Sequence, residues 1–355
     1  MKHLSCDAFE ILACPTCGAS LRVSGTRLRC ADGHLFPVVQ GVPVLLRHDV
    51  EDTLWVGRRS LTMANENADG RRVGPYFVET LGILDTERDH VRSGLASGEG
   101  DVDPVVSYLV GATNGILYRD LIGKLDRIPI PILRLPPGNG ARLLDVGCNW
   151  GRWSLAAAAK GYRPVGVDPS LGAVLAAKRL AARLGLPFEG IVADARHLPL
   201  KLGAIDTCFS YSVLQHFSKS DARAAMRQIA RATRPAGTVM IQMASATGAR
   251  SLQHILRRRF REPKGFEIRY WLPRVLLREF RAIFGDGQMK VDCYFGLGLQ
   301  PSDRTLYSTT GRVILTVSEA LRKASTIVRP LAYVADSIYL TACNSSRPTA
   351  EAETR

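Results

Sequence analysis

Apolar runs alternate with alanine-rich helical stretches from residue 141 onward. Short apolar runs indicate strands, and apolar residues at helical spacing indicate the helices between them. The pattern predicts strands at 142–146, 164–167, 188–192, 205–210 and 238–243, helices at 154–160, 170–184 and 221–231, and a turn at 235–237. In the tail it predicts helices at 272–284 and 313–327 and strands at 289–295 and 337–343. This alternation is typical of an α/β protein with a parallel sheet.

Four segments of different character divide the chain. Residues 1–48 hold half of the cysteines and several short β-like runs, which predicts a small separate module. Residues 49–138 are polar and uneven and end in a proline-rich stretch, so we expect a linker and a helical segment that caps the next domain. The α/β domain is expected at 139–345, followed by a flexible tail at 346–355.

The composition is that of a globular protein with an excess of positive charge. The 355 residues are 46% hydrophobic and 23% charged, which excludes a mainly disordered chain, a collagen-like repeat and a long coiled coil. The net charge of +14 favours an anionic partner such as RNA, a phosphorylated metabolite or a lipid surface, although a basic proteome gives the same bias without any binding. With no apolar stretch of about 18 residues and no signal peptide, we expect a cytoplasmic protein with reduced cysteines.

A cluster of metal-ligating residues lies in the first segment, with the spacing C-x2-C-x12-C-x3-H. The four residues are Cys14, Cys17, Cys30 and His34. Three thiolates and an imidazole suit tetrahedral Zn²⁺, and the absence of an obvious open position predicts a structural role. Residues 21–29 between the two pairs predict a hairpin. The segment resembles the zinc ribbon of methyltransferase-activator subunits and the zinc module of rRNA guanine methyltransferases. The alternative is a ribbon that has lost its metal.

A glycine-rich turn follows the first strand of the α/β domain. Its pattern is D-x-G-x-N-x-G, formed by Asp145, Gly147, Asn149 and Gly151. Such a turn lets the backbone approach a nucleotide at the carboxyl edge of a sheet. The pattern resembles motif I of class I S-adenosylmethionine (SAM)-dependent methyltransferases. Asn149 replaces the usual middle glycine, and asparagine tolerates the left-handed conformation that the turn requires.

The resemblance implies a seven-stranded, Rossmann-like sheet and assigns roles to residues at the ends of successive strands. Asp168 would accept hydrogen bonds from the ribose hydroxyls and serve the cofactor, not the core. Asp194 and the Ala195 amide would meet the adenine, and Ser210 would lie beside the sulfonium. Residues 209–217 and 234–237 are most similar to the ubiquinone-biosynthesis-like methyltransferases, whose substrates are very diverse.

Two features concern the methyl acceptor. His216 follows the fourth strand, and with a pKa near neutrality it is expected to take a proton from a hydroxyl or amine. The alternative is a histidine that caps or packs the next helix.

Residues 250–290 carry eleven Lys or Arg against four acids. This segment predicts contact with an anionic substrate, RNA or a lipid headgroup, or else an ordinary solvated helix face.

The sequence thus predicts a SAM-dependent methyltransferase with a structural zinc ribbon. The preferred acceptor is a small or lipid-linked biosynthetic metabolite, methylated on oxygen or nitrogen. The second reading is an RNA-base methyltransferase, suggested by the ribbon and the charge. The third is a SAM-binding or zinc-scaffold partner protein without catalysis, which the set of Asp145, Asp168 and Asp194 argues against.

Overall fold

The computed structural model describes residues 9–49, 55–67, 77–79, 102–114, 118, 125 and 127–345. The tail predicted at 346–355 and much of the segment predicted at 49–138 lie outside these residues. None of the helices among the described residues is long and apolar enough to span a membrane.

The N-terminal segment folds into a small antiparallel sheet of four strands. Their bounds are β1 Arg22–Ser24, β2 Arg27–Arg29, β3 Leu35–Val39 and β4 Val42–Pro43. The first two strands form the predicted hairpin, with Ser24 opposite Arg27 and Gly25 in the left-handed region at φ 61°. A glycine is favoured there because it has no Cβ to clash with the backbone.

A seven-stranded sheet forms the centre of the molecule, as the sequence predicts. Its strands are β5 Arg142–Val146, β6 Arg163–Asp168, β7 Glu189–Val192, β8 Ile205–Tyr211, β9 Thr233–Ala244, β10 Gly287–Cys293 and β11 Ser337–Cys343. The spatial order is β10-β11-β9-β8-β5-β6-β7, with β5 to β9 parallel and β11 antiparallel to both of its neighbours. The carboxyl ends of β5 to β8 therefore meet at one edge, where open α/β sheets bind their ligands.

Eight helices lie among the described residues. They are α1 Val56–Asn67, α2 Pro104–Thr113, α3 Arg152–Ala159, α4 Leu171–Arg183, α5 Lys219–Ala232, α6 Ala249–Arg257, α7 Pro273–Phe284 and α8 Thr309–Ala324. Ser170 caps α4 as predicted, because its hydroxyl accepts a hydrogen bond from the Ala173 amide at 3.1 Å. Helix α8 begins and ends earlier than predicted, since Ser308 caps its first turn.

The turn predicted at 235–237 lies inside β9 instead of before it. Thr233 pairs with Ile205, and pairing resumes only where Thr238 meets Thr207. Pro235 has no N–H to donate to the ladder, and Ala236 adopts a positive φ of 59°. The strand therefore begins at Thr233 and is interrupted by the residues that the sequence assigns to the turn.

The small sheet packs on the edge of the large one. Leu12 forms an antiparallel bridge with Leu200, and Val44 forms a parallel bridge with Val192 at the end of β7. Leu12, Leu28 and Leu45 are buried in the same hydrophobic core as residues of the central sheet. The first segment therefore shares a core with the α/β domain, in addition to its own small sheet.

Candidate functional site

A cavity of about 1210 Å³ opens at the carboxyl ends of the parallel strands. One end is lined by the glycine-rich turn, the ends of β6 and β7 and Glu79. The other end is lined by His216, α6 and the segment 266–270. Of the predicted SAM site, the structure brings Gly147, Asn149, Asp168, Asp194 and Ala195 to the cavity wall.

The turn after β5 needs residues that tolerate a positive φ at Gly147 and Asn149. Gly147 lies at φ 75°, and a Cβ there would come within 2.2 Å of Val213 Cγ2. Asn149 lies at φ 48°, the left-handed conformation expected for the residue that replaces the usual glycine. Its side-chain oxygen accepts a hydrogen bond from the Trp150 amide at 2.7 Å. The turn thereby presents bare backbone to the cavity.

Asp168 is more deeply embedded than the resemblance implies. It is 9% exposed, and its carboxylate accepts hydrogen bonds from the amides of Asn149 and Ser170, both at 2.9 Å. Burial raises its pKa to about 6 and the Glu79 carboxylate acts in the same direction, while the two amides oppose the shift. Asp168 therefore supports the glycine-rich turn as well as lining the cavity, which corrects the expectation that it serves the cofactor alone.

Three of the predicted cofactor residues lie behind the cavity wall. Asp145 is buried and accepts a hydrogen bond from the Ser154 hydroxyl at 2.7 Å, and burial raises its pKa to about 7. The Ser210 hydroxyl donates to the Val146 carbonyl at 3.0 Å. Gly151, at φ 83°, directly precedes α3. These residues hold the strand ends and the turn in place from below.

Asp194 lines the cavity while held in an ion pair. Its carboxylate faces the Arg196 guanidinium at 2.6 Å and accepts a hydrogen bond from the Arg196 amide at 2.8 Å. These contacts fix the carboxylate next to the Ala195 backbone, because the residues that follow form a 3₁₀ turn at Ala195–His197.

Glu79 is a site residue that the sequence patterns do not reveal. It lines the cavity at 2% exposure and accepts hydrogen bonds from the hydroxyls of Ser60, at 2.6 Å, and Ser170. The Gly172 amide, at the start of α4, also donates to it at 3.2 Å. Burial raises the pKa of Glu79. It lies in a polar segment without periodicity, so only the tertiary fold brings it to Asp168.

His216 lies at the other end of the cavity, in the 3₁₀ turn Leu214–His216. Its Nδ1 donates to the Phe266 carbonyl at 2.7 Å, and its ring stacks on the Phe266 ring with the centroids 3.8 Å apart. Burial lowers the pKa of His216 to about 4, with the Arg269 guanidinium acting in the same direction. This pKa is well below the near-neutral value expected from the sequence. The imidazole is therefore neutral at pH 7.

A buried polar cluster braces the wall between the two ends. Arg152 pairs with Asp303, and the Tyr118 hydroxyl donates to the same carboxylate. Tyr307 lies 2.8 Å from Tyr118. Because a buried charge is tolerated only when it is paired, this cluster joins α3 to the C-terminal part of the domain.

Helix α6 brings the basic segment to the cavity. Its residues Arg250, Ser251, Gln253, His254 and Arg257 line the wall, whereas Leu252 and Leu256 are exposed on the outside. The spacing i, i+3, i+4, i+7 places the lining residues on one helical face. Among these lining residues only Ser251 is buried, so this part of the cavity wall is exposed to solvent.

The Cys and His residues predicted as metal ligands converge in the small sheet. The ligand atoms of Cys14, Cys17, Cys30 and His34 all lie within 4.8 Å of one another. The sulfurs of Cys17 and Cys30 are 3.7 Å apart, close to the edge of about 3.8 Å that a tetrahedron with Zn–S bonds of about 2.3 Å requires. The cluster is compatible with a structural zinc site.

Residues 143–237 match the family model described as a methyltransferase domain. A malonyl-[acyl-carrier protein] O-methyltransferase from Serratia marcescens is 34% identical over 117 residues, which cover 33% of this chain and 42% of that protein. A tRNA (carboxymethyluridine(34)-5-O)-methyltransferase from Macaca fascicularis is 31% identical over 104 residues, or 29% of this chain and 14% of that protein. A solved phosphoethanolamine N-methyltransferase 2 from Haemonchus contortus, in complex with SAM, covers 75% of this chain and 61% of its own at 14% identity and a TM-score of 0.41.

Together with the glycine-rich turn at the sheet edge, the family match identifies residues 143–237 as part of a class I SAM-dependent methyltransferase domain. The sequence prediction of this class is confirmed. The chain spans less than half the length of the curated relatives that it matches.

Proposed function

We propose that this protein transfers a methyl group from SAM to an oxygen or nitrogen of a small or lipid-linked biosynthetic metabolite. The observation that carries the proposal is that one continuous cavity of about 1210 Å³ is lined by both the glycine-rich turn and His216. Pockets for one drug-sized ligand occupy roughly 300–1,000 Å³, so this cavity has room for the cofactor and a small acceptor side by side.

The cofactor end offers donors and acceptors that suit SAM. Asp168 would accept hydrogen bonds from the ribose, and Asp194 with the Ala195 amide would meet the adenine. Gly147 and Asn149 would allow the backbone to approach the methionine part, with Asp145, Gly151 and Ser210 supporting them from behind. Bound SAM supplies an electrophilic methyl group on a sulfonium. The carboxylates at this end favour such a cation electrostatically.

At the acceptor end, His216 is the proposed general base. Because Nδ1–H donates to the Phe266 carbonyl, Nε2 carries the lone pair that accepts a proton from the acceptor. The low pKa makes His216 a weak base that is fully neutral at pH 7. Holding the acceptor in line with the methyl group would supply much of the rate.

The Cys₃His cluster would hold a structural Zn²⁺. The ion would join β2 to the loop at Cys14 and so fix the small sheet against the edge of the central one. The support for this role is the convergence of three thiols and an imidazole in a segment whose strands are only two to five residues long.

Methyl transfer from labelled SAM tests the proposed function. Extract from a strain that lacks this protein is separated into RNA, protein, lipid and small-metabolite fractions, and each is incubated with the pure protein or with its Asp168→Ala variant. We expect label in the lipid or small-metabolite fraction with the unchanged protein only. Label confined to the protein fraction, or equal label with both forms, would contradict the proposal.

RNA methylation is the second candidate, favoured by the net charge of +14 and by the partial similarity to a tRNA methyltransferase. Label in the RNA fraction would establish it, and binding to RNA should then weaken steeply with added salt. A protein that binds SAM and labels no fraction would instead be a scaffold without catalysis.

A further inference from the structure

We infer that Arg250, His254 and Arg257 form an anion-binding subsite in the cavity, so that the methyl acceptor carries a phosphate or carboxylate group. This inference rests on the proposed function and specifies the chemical class of its acceptor. The three side chains line the cavity from one face of α6, at positions i, i+4 and i+7. They are therefore neighbours along a single wall.

The charge of this wall is not neutralised by nearby acids. Within the described part of the chain, neither Arg250 nor Arg257 forms an ion pair, and Arg250 donates only to the neutral Gln253 at 2.6 Å. Glu267 also lines the wall, but Arg261 pairs with it at 2.7 Å. Asp336, below the helix, accepts the Ser251 amide and is 1% exposed. Two exposed arginines of the cavity lining thus have no counter-charge among the described residues.

The two ends of the cavity have opposite charge. Glu79 and Asp168 are at the cofactor end, where Asp194 is paired with Arg196, whereas the unpaired Arg250 and Arg257 are on the α6 wall. A cationic cofactor and an anionic acceptor would each be drawn to its own end, and the wrong orientation would place like charges together. Guanidinium groups bind phosphate and carboxylate through paired N–H donors, which adds direction to the attraction.

His254 adds a hydrogen-bonding group that is held in place. Its Nδ1 lies 2.8 Å from the Tyr270 hydroxyl, and Tyr270 lines the same wall. This contact orients the imidazole, and its Nε2 remains for the ligand. An anion at this position would therefore contact the guanidinium groups of Arg250 and Arg257 and the His254 imidazole.

Calorimetry of inorganic phosphate binding to the 355-residue chain tests the inference, with the affinity for S-adenosylhomocysteine (SAH) measured in parallel. We expect phosphate affinity to fall about tenfold for each of Arg250→Gln and Arg257→Gln, or about 1.4 kcal/mol each. Arg259→Gln is the matched control, because Arg259 belongs to the same basic segment and is exposed outside the cavity lining. We expect its phosphate affinity to equal that of the unchanged protein.

Equal losses in Arg257→Gln and Arg259→Gln would overturn the subsite, because they would show a diffuse effect of net charge. Unchanged protein that binds SAH but not phosphate also overturns it and leaves the proposed function standing. Phosphate binding at α6 without any SAH binding would instead remove the proposed function.

A vesicle experiment separates the two sources of the anion. Vesicles of phosphatidylcholine with one-fifth phosphatidylglycerol are sedimented with the protein, because Leu252 and Leu256 expose an apolar stripe beside the basic wall. Sedimentation that phosphate competes away assigns the subsite to a lipid headgroup. Phosphate binding without sedimentation assigns it to a free phosphorylated acceptor, and sedimentation unaffected by both arginine substitutions contradicts the subsite as a lipid contact.

Discussion

His216 is held in place by two contacts with Phe266. The Phe266 ring stacks on the imidazole, and the Phe266 carbonyl accepts a hydrogen bond from Nδ1–H. Burial lowers the pKa of His216 to about 4, so the neutral form is present across the physiological range. A structural histidine and a general base would both show such contacts, but they differ in their effect on turnover and on its pH dependence.

We expect His216→Ala to reduce turnover by roughly 10²- to 10⁴-fold while SAH affinity stays unchanged. At saturating SAM, the pH–rate profile of the unchanged protein should rise around pH 4, where the imidazole loses its proton, and be flat from pH 6 to 8. His197→Gln is the control, because His197 lies outside the cavity lining and its pKa is also lowered by burial. Normal turnover in His216→Ala, with only a lower melting temperature, would assign His216 to structure.

Glu79 connects the segment before the sheet to the start of α4 by accepting hydrogen bonds from Ser60, Ser170 and Gly172. We expect Glu79→Gln to reduce the affinity for SAM roughly threefold more than the affinity for SAH, because only SAM carries the sulfonium charge. Loss of a buried acceptor should also destabilise the fold by about 1–3 kcal/mol. Calorimetry with SAM and with SAH measures both affinity losses.

The control for this prediction is Glu66→Gln, an exposed carboxylate on α1 outside the cavity lining. If Glu79→Gln weakens SAM and SAH equally, Glu79 acts through the shape of the site and not through its charge.

The residues at strand ends were predictable because they depend on local order. Asp168 and Asp194 follow apolar runs that form β6 and β7, and parallel strands bring such residues to one edge. The cavity positions of Glu79 and of the lining residues of α6 were not predictable, because these residues reach the cavity only through long-range packing. The pKa values of Asp168 and His216 were not predictable for the same reason, since burial in the folded protein shifts both of them.

At the scale of elements, the small sheet depends on its metal ligands and on the central sheet. We expect Cys17→Ser to lose bound zinc and to lower the melting temperature by roughly 5 °C or more, because structural zinc contributes folding free energy directly. Metal analysis of the pure, never-chelated protein and a thermal melt measure the two effects. Cys343→Ser is the control, because Cys343 is exposed and lies outside the cluster.

Zinc absent from the unchanged protein would contradict this prediction. A zinc loss without any change in melting temperature would show that the shared core, including Leu12 and Leu45, holds the small sheet without the ion.

The observed bounds of some elements agree with the sequence prediction, and others differ because strand pairing sets them. Strand β5 and the final strand β11 have the predicted bounds. Strand β9 begins earlier than predicted, because Thr233 pairs with Ile205 before the proline interrupts the ladder. The bridges that join Leu12 to Leu200 and Val44 to Val192 have no signal in the sequence, since each joins residues more than a hundred positions apart.

At the scale of the whole molecule, buried carboxyl groups couple stability to pH and to the cofactor. Burial raises the pKa of Asp145 to about 7 and of Asp168 to about 6, and it also raises that of Glu79. Because these folded-state values exceed the unfolded ones, the fold favours the protonated groups below about pH 4 and loses that stabilisation as the pH rises through about 6 to 7. For Asp168 the loss is on the order of 3 kcal/mol.

A bound cation favours the ionised carboxylates. SAM should therefore restore the folding stability that is lost as the pH rises. We therefore expect SAM to raise the melting temperature more at pH 7.5 than at pH 5, where His216 is still mostly neutral. Binding of SAM at pH 6 should also release protons, which calorimetry in two buffers of different ionisation enthalpy measures. Asp168→Asn should reduce both effects, because it removes one of the titrating groups. An equal rise in melting temperature at both pH values, with no proton release, would mean that the cofactor's charge does not face these carboxylates.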